Sequence, residues 1–329
     1  MAQPRVFVTR RMSQEALDML AAEADLEVWP DDERPPQEVL LSRARECYAI
    51  LTTIEDRIDQ EVLQAGQGTL KVVANMAVGY NNVDVQAATV LGVAVSNTPD
   101  VVTKTTADLA FTLLMAAARR VVEGDRDVRA GKWQRWHPFA YVGKDVHGAS
   151  LHILGLGKIG VEMAKRALGF EMNVSYYSRS RRPDMEEQYG FTYCQDLPAA
   201  LGGADFVSIH TPLTPETHHL IGAEELRLMK PTAILVNTAR GGVVDNIALY
   251  EALRGGIIAG AGLDVTEPEP IPMDHPLLTL PNVVISPHIG SASLDTRTEM
   301  AVLAARNILA RLKGEAMPTC LNPEVLTLP

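Results

Sequence analysis

The sequence predicts an α/β protein with two doubly wound parallel sheets, one of them inserted into the domain that carries the other. Three observations predict it. Short β-rich runs alternate with helical stretches almost throughout, the pattern of parallel sheets covered by helices. A glycine-rich turn between an apolar run and an amphipathic stretch, Leu151 to Gly169, lies in mid-chain, so another domain must be assembled from both ends. The chain has 329 residues, long for one hydrophobic core.

The elements follow in order. Arg5 to Thr9 reads as a strand, Gln14 to Ala22 as a helix, Leu26 to Trp29 as a strand and Pro36 to Arg45 as a helix. Strands are expected at Tyr48 to Thr52, Leu70 to Ala74 and Val93 to Ser96. A long helix starts near Thr103, runs into the 120s and ends in a polar piece, Gly124 to Lys132, before a loop holding Trp133 and Trp136. After the glycine-rich turn, strands are expected at Asn173 to Tyr177, Phe206 to His210, Ala233 to Asn237, Ile258 to Leu263 and Val283 to Ser286, and a terminal helix at Asp295 to Leu312. The crossings fall near Thr98-Pro99-Asp100 and His288-Ile289-Gly290, which divides the chain into 1–99 with 289–329, and 100–288.

Composition narrows the class. The net charge of −11 disfavours nucleic acid and anionic membranes as partners. Met1 to Arg10 has no signal-peptide character, and Leu109 to Ala118 is too short to span a bilayer. Cys47, Cys194 and Cys320 show no metal or redox spacing, so reduced thiols and a cytoplasmic location are expected.

The central turn carries Gly155, Leu156, Gly157, Lys158, Ile159 and Gly160. Gly155 allows the tight turn, Gly157 lets backbone approach a pyrophosphate, and Gly160 lets the helix pack on the strand, so a dinucleotide is expected on the helix N-terminus. About 20 positions later an NAD site has an acidic residue for the ribose 2′-hydroxyl. Here the run is Ser178-Arg179-Ser180-Arg181-Arg182. Its hydroxyls and guanidinium groups suit a 2′-phosphate, so NADP(H) is expected in preference to NAD(H), which remains possible. Beyond the turn, Arg240, Glu269 and His288 each follow an expected strand, at the ends that face ligand in such sheets. His210, His218 and His219 invite a metal, but no third ligand cluster or carboxylate spacing supports one, and none is expected.

The chain resembles the D-isomer-specific 2-hydroxyacid dehydrogenases, and within them the glyoxylate/hydroxypyruvate reductases, over nearly its whole length. The resemblance rests on Ala77-Val78-Gly79-Tyr80-Asn81-Asn82-Val83-Asp84, Asn97-Thr98-Pro99-Asp100, the Gly155 to Gly160 turn, Thr211-Pro212-Leu213-Thr214-Pro215-Glu216-Thr217, Asn237-Thr238-Ala239-Arg240-Gly241, Leu263-Asp264-Val265 with Glu269-Pro270, and Ser286-Pro287-His288-Ile289-Gly290. It implies a Rossmann-type nucleotide-binding domain inserted into a flavodoxin-like substrate domain. It implies His288 as proton donor, Glu269 as its carboxylate partner (rather than Glu267, because the family's acid directly precedes the second proline), and Arg240 as clamp for the substrate carboxylate. Backbone N–H groups of Val78 and Gly79 would complete the carboxylate site. Thr106, His210, Thr211, Pro212, Thr217, Thr238, Ala239, Asp264, His288 and Gly290 would line the cofactor, Asp264 at the nicotinamide amide. An arm over about 109–147 would make a homodimer, with Trp136 reaching the neighbouring active site or else plugging its own chain. Val78 stands where related phosphite oxidisers have lysine, and no regulatory domain is expected after Pro329.

The expected reaction is reduction of glyoxylate or hydroxypyruvate to glycolate or D-glycerate. Two rivals stand beside it: a dehydrogenase for a D-lactate-like or branched acid, and a non-catalytic, NAD(H)-sensing corepressor, whose long flanking tails are not expected here.

Overall fold

The computed structural model describes residues 3–326, which form two compact units: residues up to Val102 with those from Ala292, and Thr103–Ser291. The first unit has five parallel strands, β1 (Arg5–Val8), β2 (Asp25–Val28), β3 (Ala49–Thr52), β4 (Val72–Asn75) and β5 (Ala94–Ser96), in the order β2-β1-β3-β4-β5, that of flavodoxin-like sheets. Strands β3, β4 and β5 are fully buried and largely apolar because both faces are covered, whereas the edge strand β2, Asp25-Leu26-Glu27-Val28, is only partly buried. Side chains alternate between faces: Val6 and Val8 join one core with Ala49, Leu51 and Ile308, whereas Phe7 joins the other with Ile50, Val73 and Val95. The helix Leu294–Leu312, opened by the Ser293 hydroxyl accepting from the Thr296 N–H, supplies Ala301, Ala305 and Ile308 to the first of these cores.

The second unit has seven parallel strands: β6 (Ser150–Leu154), β7 (Asn173–Tyr177), β8 (Thr192–Tyr193), β9 (Phe206–Ile209), β10 (Ile234–Asn237), β11 (Gly260–Leu263) and β12 (Val283–Ile285). Their order, β12-β11-β10-β9-β6-β7-β8, is the Rossmann order with one more strand, and it reverses between β6 and β9. Register aligns one edge. Leu154 pairs with Tyr177 and Ile209, Asn237 with Ile209 and Leu263, and Leu263 with Ile285, so six strands end in one row.

Three differences from the sequence reading have physical causes. The long helix is two, Thr103–Ala118 and Val121–Arg129, because Arg120 takes a left-handed conformation (φ 52°) that neither a glycine nor a proline announces. The helix after the glycine turn starts at Lys158, not Val161, with Gly157 as N-cap. The second crossing falls at 291/292, because the N–H groups of His288, Ile289 and Gly290 all donate to Asp264 (2.9, 2.8 and 2.8 Å), which ties residues 289–291 to the second unit.

Candidate active site

The aligned strand ends decide which side chains meet. Beyond them emerge Gly155–Gly160 after β6, Ser178–Arg181 after β7, His210–Thr217 after β9, Thr238–Arg240 after β10, Asp264–Glu269 after β11 and Ser286–His288 after β12. The glycine turn therefore sits at the switch point of the sheet, where such folds take a dinucleotide.

The turn fits that ligand. Gly155 has φ +95°, and a Cβ there would stand 2.9 Å from the His210 carbonyl and the Thr211 methyl. A Cβ at Gly160 would stand 2.3 Å from the Gly155 carbonyl oxygen, so only glycine lets helix and turn close up. Beside Gly157 there is open space, in front of the first N–H groups of Lys158–Leu168. The Thr211 and Thr238 hydroxyls are buried with no hydrogen-bond partner among the described residues, as suits groups that complete their bonding on a ligand. His210 shares a 2.9 Å hydrogen bond with the Ser208 hydroxyl, and burial pushes its pKa down to about 3, so it is neutral. Thr217 is spent on its own turn, donating to the Pro212 carbonyl (2.6 Å) and accepting from the Thr214 N–H (2.8 Å).

The arginines after β7 are not equivalent. Arg181 is forked onto Glu186 (2.7 and 2.9 Å), which also accepts from the Tyr176 hydroxyl, and Arg182 pairs with Asp184 (2.8 Å). Arg179 is exposed and makes no ion pair within 4.0 Å among the described residues. Its charge helps hold the Glu216 carboxyl low, after hydrogen bonds from Thr214 and the residue's own backbone.

At the other end of the row, Nδ1 of His288 and Oε1 of Glu269 are 2.5 Å apart. Burial works to raise the Glu269 carboxyl, and the hydrogen bond and charge of His288, the Thr266 N–H and the Arg240 charge outweigh it, so it lies below its ordinary range. Arg240 donates to the Ala239 carbonyl (2.7 Å); burial lowers its pKa and the Glu269 charge opposes that. Gly241 makes the arrangement possible: a Cβ there would stand 1.9 Å from the Thr266 carbonyl oxygen, so the segments bearing Arg240 and Glu269 touch backbone to backbone.

Asp264 is fully engaged. One carboxylate oxygen accepts from the Ser286 hydroxyl (2.6 Å) and the Ile289 N–H, the other from the Gly290 N–H. It thus clamps the turn on which His288 sits with φ +52°, while buried Thr106 lies against Gly290. Ser286, Asn237 (whose amide donates to the Arg240 carbonyl, 2.9 Å) and Thr266 are supporting residues that the sequence reading did not single out; Ser286 and Asn237 lay in quoted motifs, and polar residues at strand ends were the available signal. Glu267, the rival of Glu269, turns instead to His219 (3.0 Å) and His218 (3.7 Å). That supplies the carboxylate which the sequence spacing did not reveal. Val78 and Gly79 lie in the first unit, and Trp136 is 78% exposed, so it plugs nothing in its own chain.

A dinucleotide cradle on the same sheet edge as an arginine and a carboxylate-paired imidazole defines a nicotinamide-dependent oxidoreductase. The comparisons make it particular. Residues 111–290 match the model of the D-isomer specific 2-hydroxyacid dehydrogenase, NAD binding domain. A glyoxylate reductase of Korarchaeum cryptofilum is 52% identical over 98% of this chain and 97% of that protein, and one of Thermococcus litoralis is 48% identical over 98% of each. Among solved structures, a Thermus thermophilus protein has a TM-score of 0.91 at 48% identity, covering 96% of this chain and 99% of that one. An NADPH-dependent glyoxylate/hydroxypyruvate reductase of Sinorhizobium meliloti, in complex with NADP and malonate, has a TM-score of 0.86 at 32% identity over 97% of each chain. The chain belongs to the D-isomer-specific 2-hydroxyacid dehydrogenases, and it is an NAD(P)H-dependent reductase of 2-oxo acids. No described helix is long and apolar enough to cross a membrane.

Proposed function

We propose that the chain reduces glyoxylate or hydroxypyruvate to glycolate or D-glycerate, using NADPH in preference to NADH. The observation that carries this reading is the 2.5 Å contact of His288 with Glu269, on the sheet edge that also presents Arg240. Glu269 occupies Nδ1 of His288, which leaves Nε2 to give a proton to the developing alkoxide oxygen. Arg240 holds the substrate carboxylate through its fork and polarises the keto oxygen. The bound nicotinamide supplies the hydride. The glyoxylate preference is supported by the names of relatives at about half identity. NADPH is supported by the missing carboxylate after β7 and by the exposed Arg179, which makes no ion pair within 4.0 Å among the described residues. Ser178 and Ser180 offer hydroxyls to the same phosphate, and Arg181 can join only by leaving Glu186. We read the chain as a cytoplasmic homodimer; the three unpaired cysteines support a reducing compartment.

The test is oxidation of NADPH and NADH followed by absorbance with a panel of 2-oxo acids. Highest kcat/KM is expected for glyoxylate or hydroxypyruvate with NADPH. Arg179→Ala should shrink the NADPH:NADH ratio by about tenfold or more, and His288→Ala should cost roughly 10²–10⁴ in kcat. Preference for a lactate-like or branched acid would replace the substrate assignment, and no turnover with any acid would point to a cofactor-sensing binding protein.

A further inference from the structure

Apart from the Arg240, Glu269 and His288 group, the second unit holds a cluster of side chains able to ligate a metal, which the reaction does not use. His218, His219 and Glu267 each offer one ligand atom, and these atoms lie within 4.8 Å of one another. Nε2 of His219 is 3.0 Å from one Glu267 carboxylate oxygen and Nε2 of His218 is 3.7 Å from the other. The two rings stack, with centroids 3.9 Å apart and planes inclined by 23°.

Consecutive side chains of an extended backbone point to opposite sides. Here His219 adopts φ +51°, which brings the two rings together on one side. The backbone that does this is anchored: the His218 N–H donates to the Thr214 carbonyl (2.9 Å), the His219 N–H to the Gly242 carbonyl (2.8 Å) and the Ile221 N–H to the Val243 carbonyl (3.1 Å). The same 241–246 segment holds the glutamate, since the Asn246 amide donates to the Glu267 carbonyl (2.8 Å). A Cβ at Gly242 would stand 2.8 Å from Oε1 of Glu267, so the bare backbone leaves the carboxylate its place. One short segment thus fixes both halves of the set, although 48 residues separate His219 from Glu267 in sequence.

We propose that His218, His219 and Glu267 bind a divalent transition-metal ion of the zinc and nickel kind. Two imidazoles with one carboxylate form a donor set for such ions, whereas magnesium and calcium take oxygen-rich shells. Ligand atoms about 2.1 Å from a tetrahedral ion stand about 3.4 Å apart, and the two nitrogen–oxygen separations bracket that value. The stacked rings both aim at the carboxylate, so binding turns one of them about its Cβ–Cγ bond to share a single ion. Three protein ligands leave a position for water or an anion. The ion would restrain Glu267 within the Thr266–Pro270 segment, which also carries Glu269.

Isothermal titration of the full chain, free of any histidine tag and stripped with chelator, with Zn(II) and separately with Ni(II) tests the site. One equivalent per chain with a micromolar dissociation constant is expected. His219→Ala and Glu267→Gln should each weaken binding at least tenfold, and His218→Ala should do the same, while metal-free turnover stays near wild type in all three. Cobalt(II) loading should give visible absorption bands that His219→Ala removes. Titrations without saturable binding, or with affinity unchanged in the three variants, would overturn the proposal. Binding lost in Glu269→Gln and kept in Glu267→Gln would overturn it too, placing the ion on the proton-donor pair.

Discussion

Glu269 and His288 meet at 2.5 Å, and the hydrogen bond and charge of His288 help hold the Glu269 carboxyl below its ordinary range. The Glu269 carboxyl, held below its ordinary range, stays ionised through the neutral range, and its support of His288 is lost only as pH falls through that lowered value. Glu269→Gln removes this titration, so kcat/KM should fall about tenfold at neutral pH and the acid limb that the carboxyl contributes should disappear. A pH profile superimposable on wild type would take Glu269 out of this role. At this scale the sequence was readable where residue type and strand end coincide, as for Arg240 and His288. It was less so where partners come from folding: Glu186, five residues beyond Arg181, turns a candidate phosphate ligand into half of an ion pair. The histidines and Glu267 meet only because β9 and β11 flank the same strand, β10.

Among elements, the strands were the most legible, because burial on both faces makes most of them short apolar runs. Asn173–Tyr177 falls where the sequence puts it, and most others differ by one or two residues at an end. β8 is two residues long, too short to carry a period, and the break at Arg120 is set by one backbone angle. Close approaches between loops are equally silent in a sequence, and Gly241 is the clearest. Gly241→Ala should force the Thr266 backbone away, cost about 1–3 kcal/mol and lower the melting temperature by several degrees. It should raise the KM for the 2-oxo acid more than that for cofactor, because the segments displaced carry Arg240 and Glu269. Thermal denaturation and steady-state kinetics of that variant read both effects; unchanged values would mean that the neighbouring loops yield freely.

For the whole molecule, the arm after Ala118 presents Trp133, Trp136, Phe139 and Val142 to solvent, an unusual concentration of apolar surface on one segment. A second copy of the chain is the natural cover for it, in keeping with the proposed homodimer. Light scattering should give twice the mass of one chain, and Trp136→Ala should raise substrate KM while leaving cofactor affinity near wild type. A monomer with full activity would exclude a shared site. The parallel register of the second sheet has an implication for how such enzymes diversify. Since six strands stop in one row, each loop leaving that row can change in length or composition while the paired backbone beneath it stays as it is. Exchanging the stretch after β7 with that of an NAD-specific relative is therefore a modular graft, and it should carry cofactor choice with it while substrate choice stays behind.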